Sequence, residues 1–148
     1  MSNSPLEMNL SVPCTAEFVG VIRLAISGVA SRMNFTVEEI EDIKVSISEA
    51  CTNAIQHAYT NGQDTDKQKI AINTLIYPEK LEIKIEDFGE GFDTNILNNK
   101  DLAEKSKEKF GLGLGITFIK SLMDDSKVES KIGKGTTVTM MKRLTPAN

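Results

Sequence analysis

Residues 36–59 read TVEEIEDIKVSISEACTNAIQHAY, and the way this stretch divides its residues between two sides governs the reading of the whole chain. Ile40, Ile43, Ile47, Ala50, Cys51 and Ala54 recur at intervals of three and four, the period of a helix with one buried side. Thr36 stands where an N-cap hydroxyl is needed, and Glu39, three residues on, completes a capping box. The helix is predicted to run to about Tyr59, and Asn61-Gly62 with the polar residues to Lys67 forms a loop. Glu49 and Asn53 are four residues apart, so about 40° separates them and they share a side nearly opposite Ile47 and Ala54. Gln56 or His57 continues that side by one more turn. A carboxylate there can polarise a hydroxyl or a water, and a carboxamide oxygen is a hard ligand suited to Mg2+. Polar stripes also decorate plain solvent-facing helices, so this one gains meaning only from what the rest of the chain brings to it.

Upstream, residues 7–12 alternate weakly and read as a short strand that Pro13 ends. Phe18, Ile22, Ile26 and Val29 predict a helix over 15–32 with Thr15 as its N-cap, and Asn34-Phe35 breaks it. Downstream, 69–76 (KIAINTLI) and 80–87 (KLEIKIED) are β-like, and the short link through Pro78-Glu79 makes them a hairpin. Leu81, Ile83 and Ile85 alternate with Glu82, Lys84 and Glu86, which gives that strand one buried and one wet face. Residues 93–110 are polar and lysine-rich, the composition of a mobile lid or a disordered insert. Residues 113–123 predict a helix that starts from glycines, and 127–132 and 135–142 predict two strands around Gly133-Lys134-Gly135. The predicted order is β-α-α-β-β-loop-α-β-β in one domain over 1–148.

Three glycine-bearing motifs punctuate that order. Asp87-Phe88-Gly89-Glu90-Gly91 closes a strand with a carboxylate, and its glycines let the backbone turn and approach a ligand. A buried carboxylate there can accept a hydrogen bond from an exocyclic amine such as that of adenine; an ordinary turn also carries D-x-G. Gly111-Leu112-Gly113-Leu114-Gly115 opens a helix, where free amides and the helix dipole favour an anion, and a glycine hinge would read the same way. It follows a lysine-rich loop rather than the first strand of a βαβ unit, so it is not a dinucleotide fingerprint, and the Gly-Lys-Ser/Thr of a P-loop is missing. Gly133-Lys134-Gly135-Thr136-Thr137 is a hairpin turn that adds Thr137 as a hydroxyl for a ligand.

The balance of the chain removes several classes. At 148 residues, 40% hydrophobic and 26% charged, it can hold an ordinary core without metal or disulfides. Seventeen basic and 21 acidic residues leave a net charge of −4, which argues against direct nucleic-acid binding. Cys14 and Cys51 form no C-x-x-C pair and there is one histidine, so no zinc site is expected. Two reduced thiols and an opening MSNSPLEMNL without basic and apolar signal regions point to a cytoplasmic address. No apolar run approaches the roughly 20 residues of a membrane helix.

The four features in order, E-x-x-x-N, D-x-G-x-G, G-x-G and G-x-G-T-T, resemble the N, G1, G2 and G3 boxes of the GHKL ATPases. The runs VGVIRL (19–24), GVASRM (28–33), 41–59 and SLMD (121–124) further resemble the GHKL-type anti-sigma factor serine kinases of the RsbW kind. The resemblance covers most of the chain and is weakest over 93–109. It implies an α/β Bergerat fold, an α+β sandwich with helices on one face of a mixed, mostly antiparallel sheet. It implies ATP and Mg2+ as cofactors, with Asn53 on the metal and Glu49 as general base toward a substrate serine. Asp87 would read the adenine amine, Gly89 and Gly91 would shape the pocket, and His57 would sit at its edge. Gly111, Gly113 and Gly115 would serve the phosphates, and Thr137 would lie near adenine. The implied partners are a sigma factor, a STAS-domain anti-anti-sigma protein and a second copy in a homodimer. Arg23, off the apolar stripe of its helix, is a candidate partner contact. Two other functions fit the same motifs: a nucleotide-gated binding module without transfer, and a STAS-protein kinase in a pathway without a sigma factor.

Overall fold

The computed structural model describes residues 4–57, 68–89, 91 and 112–145. Their elements run β1 (Leu6–Pro13), a 3-10 turn (Ala16–Phe18), α1 (Val19–Ser31), α2 (Val37–His57), β2 (Lys69–Ile76), β3 (Lys80–Asp87), α3 (Leu112–Leu122), β4 (Asp125–Lys131) and β5 (Gly135–Arg143). The strands form one sheet in the order β1-β2-β3-β5-β4, and every ladder is antiparallel. The order of elements is the one read from the sequence. The expected helix end near Tyr59, the loop at 61–67 and the polar segment 93–110 lie outside the described residues.

The capping box of α2 is present. The Thr36 amide donates to Glu39 Oε1 at 2.8 Å and the Glu39 amide donates to Thr36 Oγ1 at 3.1 Å. Helix α2 packs between α1 and α3, and all three cover one face of the sheet. Ile22, Ile26, Ile43, Ile47, Ile70, Leu81, Ile83 and Met140 fill the layer between helices and sheet.

The helix expected over 15–32 divides in two. The Phe18 amide reaches the Thr15 carbonyl at 3.1 Å, which closes a 3-10 turn before α1 begins at Val19. Thr15 has extended backbone angles but makes no side-chain cap bond. Helix α1 buries Ile22, Ile26 and Ala30, while Phe18 and Val29 of the expected stripe are only partly covered. Strand β4 starts two residues earlier than expected because Asp125 and Ser126 pair through their backbones, which no hydropathy pattern announces. Ile132 falls in the turn and is 77% exposed.

Register sorts the side chains. Val12 pairs with Ile70, Ile70 with Asp87, Asp87 with Thr136 and Thr136 with Ser130, so one row crosses all five strands. Directly opposed residues share a face, and Val12, Ile70 and Asp87 are buried under the helices. The alternate row Ser11, Ala71, Glu86, Thr137 and Glu129 therefore faces the other way.

One buried polar group in this layer is unexplained by packing. Thr74 is fully buried and its Oγ1 has no hydrogen-bond partner. Thr74→Val keeps the shape and removes an unsatisfied hydroxyl, so stability should rise by about 1 kcal/mol. Urea denaturation measures this, and a lower midpoint would mean that the hydroxyl is bonded in solution.

Candidate functional site

Asp87 is the last residue of β3 and is 6% exposed. Its Oδ1 accepts the Gly89 amide at 3.0 Å and the Thr136 amide at 3.2 Å. Burial pushes the carboxyl above its usual range, the two amides pull it back, and Glu86 adds to the rise. One oxygen is thus fixed by the chain, and the acid sits at the end of the sheet under the helix layer. That is the arrangement a hydrogen-bond acceptor for a ligand requires.

The turns around Asp87 interlock by backbone alone. Gly135 has φ +85°, and a Cβ on it would fall 2.2 Å from the Asp87 carbonyl oxygen. Gly91 has φ +66°, and a Cβ there would fall 2.1 Å from the Lys131 carbonyl oxygen and 3.0 Å from that of Gly135. The D-x-G-x-G turn and the β4–β5 hairpin therefore touch where no side chain fits. Both glycines are needed for that contact whether or not a ligand is bound.

The threonine paired with Asp87 is Thr136, next to Thr137, the residue expected near a ligand. Thr137 lies on the opposite face of the sheet, where its Oγ1 donates to Glu86 Oε2 at 3.3 Å. Thr136 shares Asp87's face, and its Oγ1 lies 2.7 Å from Ser130 Oγ. The signal was present in the sequence: Thr136 is in phase with Val138 and Met140, the residues of β5 that join the hydrophobic core. A groove of about 390 Å3 lined by Asn9, Ser11, Ala71, Asn73, Lys84 and Glu86 also opens on the face away from Asp87.

Helix α2 brings its polar side to the same end of the molecule. Ala50, Cys51 and Ala54 are buried, while Glu49 and Asn53 on the other side are part-exposed. Burial and then the neighbouring Cys14 push the Cys51 thiol up to about 12. Burial and then Asp87 push Cys14 up to about 11. These influences run from Asp87 at the end of β3 through Cys14 to the middle of α2. Both cysteines are free and are protonated at neutral pH.

Gly113 and Gly115 lie in the first turn or so of α3, rather than ahead of it, and the first amides of a helix lack intrahelical partners. His57 ends α2, and its side chain, like Gly111, lies outside the described residues. Among the described residues no cluster of three or more His, Cys, Asp or Glu could hold a metal. Mg2+ commonly takes only one or two protein ligands and fills its shell with phosphate and water. The single part-exposed carboxamide of Asn53 fits that mode of binding.

Residues 12–142 match the family model described as the histidine kinase-like ATPase domain. The chain is 42% identical over 142 residues to the serine-protein kinase RsbW of Bacillus pumilus, covering 93% of this chain and 85% of that protein. It is 38% identical over 149 residues to the RsbW of Bacillus subtilis, covering 97% and 89%. Among solved structures, the RsbU and RsbW domains of a Mycobacterium tuberculosis protein superpose with a TM-score of 0.69 at 17% identity, covering 96% of this chain and 34% of that one. The SiaB–SiaC complex of Pseudomonas aeruginosa gives 0.63 at 11%, covering 96% and 90%. The sheet order, the helix-covered Asp87 and these matches agree: the chain belongs to the RsbW family of protein-serine kinases, built on the histidine kinase-like ATPase domain.

Proposed function

We propose that this kinase binds Mg-ATP between α2 and the end of the sheet and phosphorylates a serine on a STAS-domain protein. In the same cycle it would hold a sigma factor away from RNA polymerase. The observation that carries this is the buried Asp87, locked by two amides beneath a helix that bears Glu49 and Asn53 on its open side. In this reading Asp87 accepts the adenine amine, and Gly89, Gly91 and Gly135 let the backbone close around it. Asn53 supplies one oxygen to Mg2+, which neutralises phosphate charge when bound. Glu49 takes the proton of the attacking serine. Gly111, Gly113 and Gly115 offer amides to the phosphates. Phosphoryl transfer asks mainly for positioning and charge neutralisation, which these groups can provide. Two free, buried thiols support a cytoplasmic address, and no described helix is long and apolar enough to cross a membrane. The active form would be a homodimer.

The test is recovery of the protein from its own cell extract, with and without Mg-ATP, followed by mass spectrometry. A bound sigma factor together with a STAS protein that gains a phosphoserine when ATP is present is the expected result. A phosphorylated STAS protein without any sigma factor would refute the anti-sigma half. A bound STAS protein that gains no phosphate would refute the assigned substrate.

The acceptor role of Asp87 has its own signature. Asp87→Asn should weaken ATP binding roughly 10- to 150-fold, the value of a hydrogen bond to a charged group. The ligand-free fold should move the other way. An acid with a raised folded pKa holds its proton more tightly when folded, so ionisation lowers stability as pH rises from the unfolded pKa through the folded one. Above that window Asp87→Asn removes the penalty and should unfold no earlier than wild type. Calorimetry with ATP and thermal melts at pH 7 check both arms, and unchanged ATP affinity would sink the adenine role.

A further inference from the structure

Lys142 shares the helix-covered face of β5 with Val138 and Met140 and is 9% exposed. A lysine is almost never buried so far unless it is paired. Its Nζ donates to the Leu122 carbonyl at 2.5 Å and stands 3.6 Å from Asp42 Oδ2. Leu122 ends α3, where the last carbonyls have no intrahelical partner and a cation suits the helix dipole. Asp42 lies in the second turn of α2. One ammonium thus joins β5, the end of α3 and the start of α2. Backbone bonds already hold the turn after α3 to β5. The Asp124 amide donates to the Met141 carbonyl at 2.9 Å, and the Arg143 amide donates to Asp124 Oδ2 at 2.6 Å. What Lys142 adds is the link across to α2. The buried residues of α3 include Ile116 and Ile119, and apolar burial is non-directional. A charged hydrogen bond has a preferred length and direction, so it can set how far one helix lies along another.

We propose that Lys142 is a positioning residue for the nucleotide's phosphates: by tying α3 to α2, it holds the first amides of α3 in register with Asn53. This rests on the reading in which Asn53 serves the metal and Gly113 and Gly115 serve the phosphates. In that reading different parts of the chain hold the two ends of the nucleotide. Adenine belongs to Asp87, which pairs with Thr136, and Lys142 stands six residues further along β5, about 20 Å away. The phosphates belong to α2 and α3 jointly, so their share of the binding depends on how the two helices are aligned. Lys142 sits at the far end of α3, about 15 Å along the helix from its first turn. It touches neither nucleotide nor metal in this scheme and acts through the two helices alone.

The test is displacement of a fluorescent ATP analogue from the full chain by Mg-ATP and by adenosine, which lacks the phosphates. Wild type should prefer Mg-ATP. Lys142→Met keeps an apolar stem and removes the charge and its donors. It should weaken Mg-ATP roughly 3- to 10-fold, part of the worth of one hydrogen bond to a charged group, and leave adenosine within a factor of about two. Asp42→Asn changes a part-exposed residue and leaves Lys142 on the Leu122 carbonyl, so it protects the test if the methionine variant folds poorly. It should shrink the preference for Mg-ATP in the same direction. In a Lys142→Met background, where no ammonium remains to be paired, Asp42→Asn should change nothing further. An unchanged preference in both single variants, an equal loss of Mg-ATP and adenosine, or the same Asp42→Asn effect in either background overturns the proposal. A wild type that binds adenosine as tightly as Mg-ATP would overturn the phosphate reading of α2 and α3 itself. A selective wild type with equally selective variants would overturn only the role of Lys142.

Discussion

Glu49→Ala should bind ATP within a factor of about two of wild type and transfer phosphate roughly 10²–10⁴-fold more slowly, the range for loss of a general base. The expectation comes from where α2 puts this carboxylate. Glu49 stands on the open side of the helix, one turn from Asn53, while Ala50 and Cys51 on either side of the stripe are buried. Removing a part-exposed acid leaves the packed side of α2 untouched, so the fold should survive. Nothing assigns Glu49 to the adenine end, so ground-state binding should also survive. What is lost is an interaction that matters only when the serine proton leaves, and that appears in kcat with KM for ATP unchanged. Glu49→Gln is the sharper variant, because it keeps size and polarity and removes only the basicity. Single-turnover transfer to a STAS-domain serine measures both variants. A normal rate in either one would remove Glu49 as the base and leave positioning and charge as the whole of catalysis.

The parts of this site that were legible in the sequence are those set by periodicity. The E-x-x-x-N side of α2 follows from the spacing of Ile43, Ile47 and Ala54, and the capping box named the helix start to the residue. Asp87 could be placed at a strand end because Leu81, Ile83 and Ile85 alternate up to it. The β2–β3 hairpin closes through the Tyr77 amide on the Lys80 carbonyl at 3.0 Å, where Pro78-Glu79 marked it. What escaped was set by contacts between distant segments. The choice between Thr136 and Thr137 turns on which face of β5 meets Asp87 on the neighbouring strand, and only the phase of Val138 and Met140 favours Thr136. The bond between the Ser130 and Thr136 hydroxyls likewise joins residues six apart across a hairpin. The 3-10 turn at Ala16–Phe18 escaped because Phe18 has the same apolar phase in a 3-10 turn as in the first turn of a helix.

Gly135→Ala should cost about 3–5 kcal/mol, a large share of the roughly 5–15 kcal/mol that holds a domain together. Two penalties combine. A φ of +85° is left-handed backbone, which costs an L-residue with a Cβ roughly 1–2 kcal/mol. The new Cβ would then lie 2.2 Å from the Asp87 carbonyl oxygen and 2.9 Å from the Phe88 Cα. Both obstacles are backbone, so no side chain can swing aside, and β5 must part from the end of β3. Gly20→Ala is the matched control, because a Cβ there meets nothing within 4 Å and the position is helical. Replacing a helical glycine should stabilise by about 0.4–1 kcal/mol. Urea denaturation of the two variants should therefore move in opposite directions. The same displacement has a functional cost, since it carries the Thr136 amide away from Asp87 Oδ1 and loosens the acceptor the nucleotide needs. If Gly135→Ala matched wild type in stability and in ATP affinity, the close approach of the two turns would not be a fixed feature of the protein in solution. The rigidity ascribed to Asp87 would then have to come from the Gly89 amide alone.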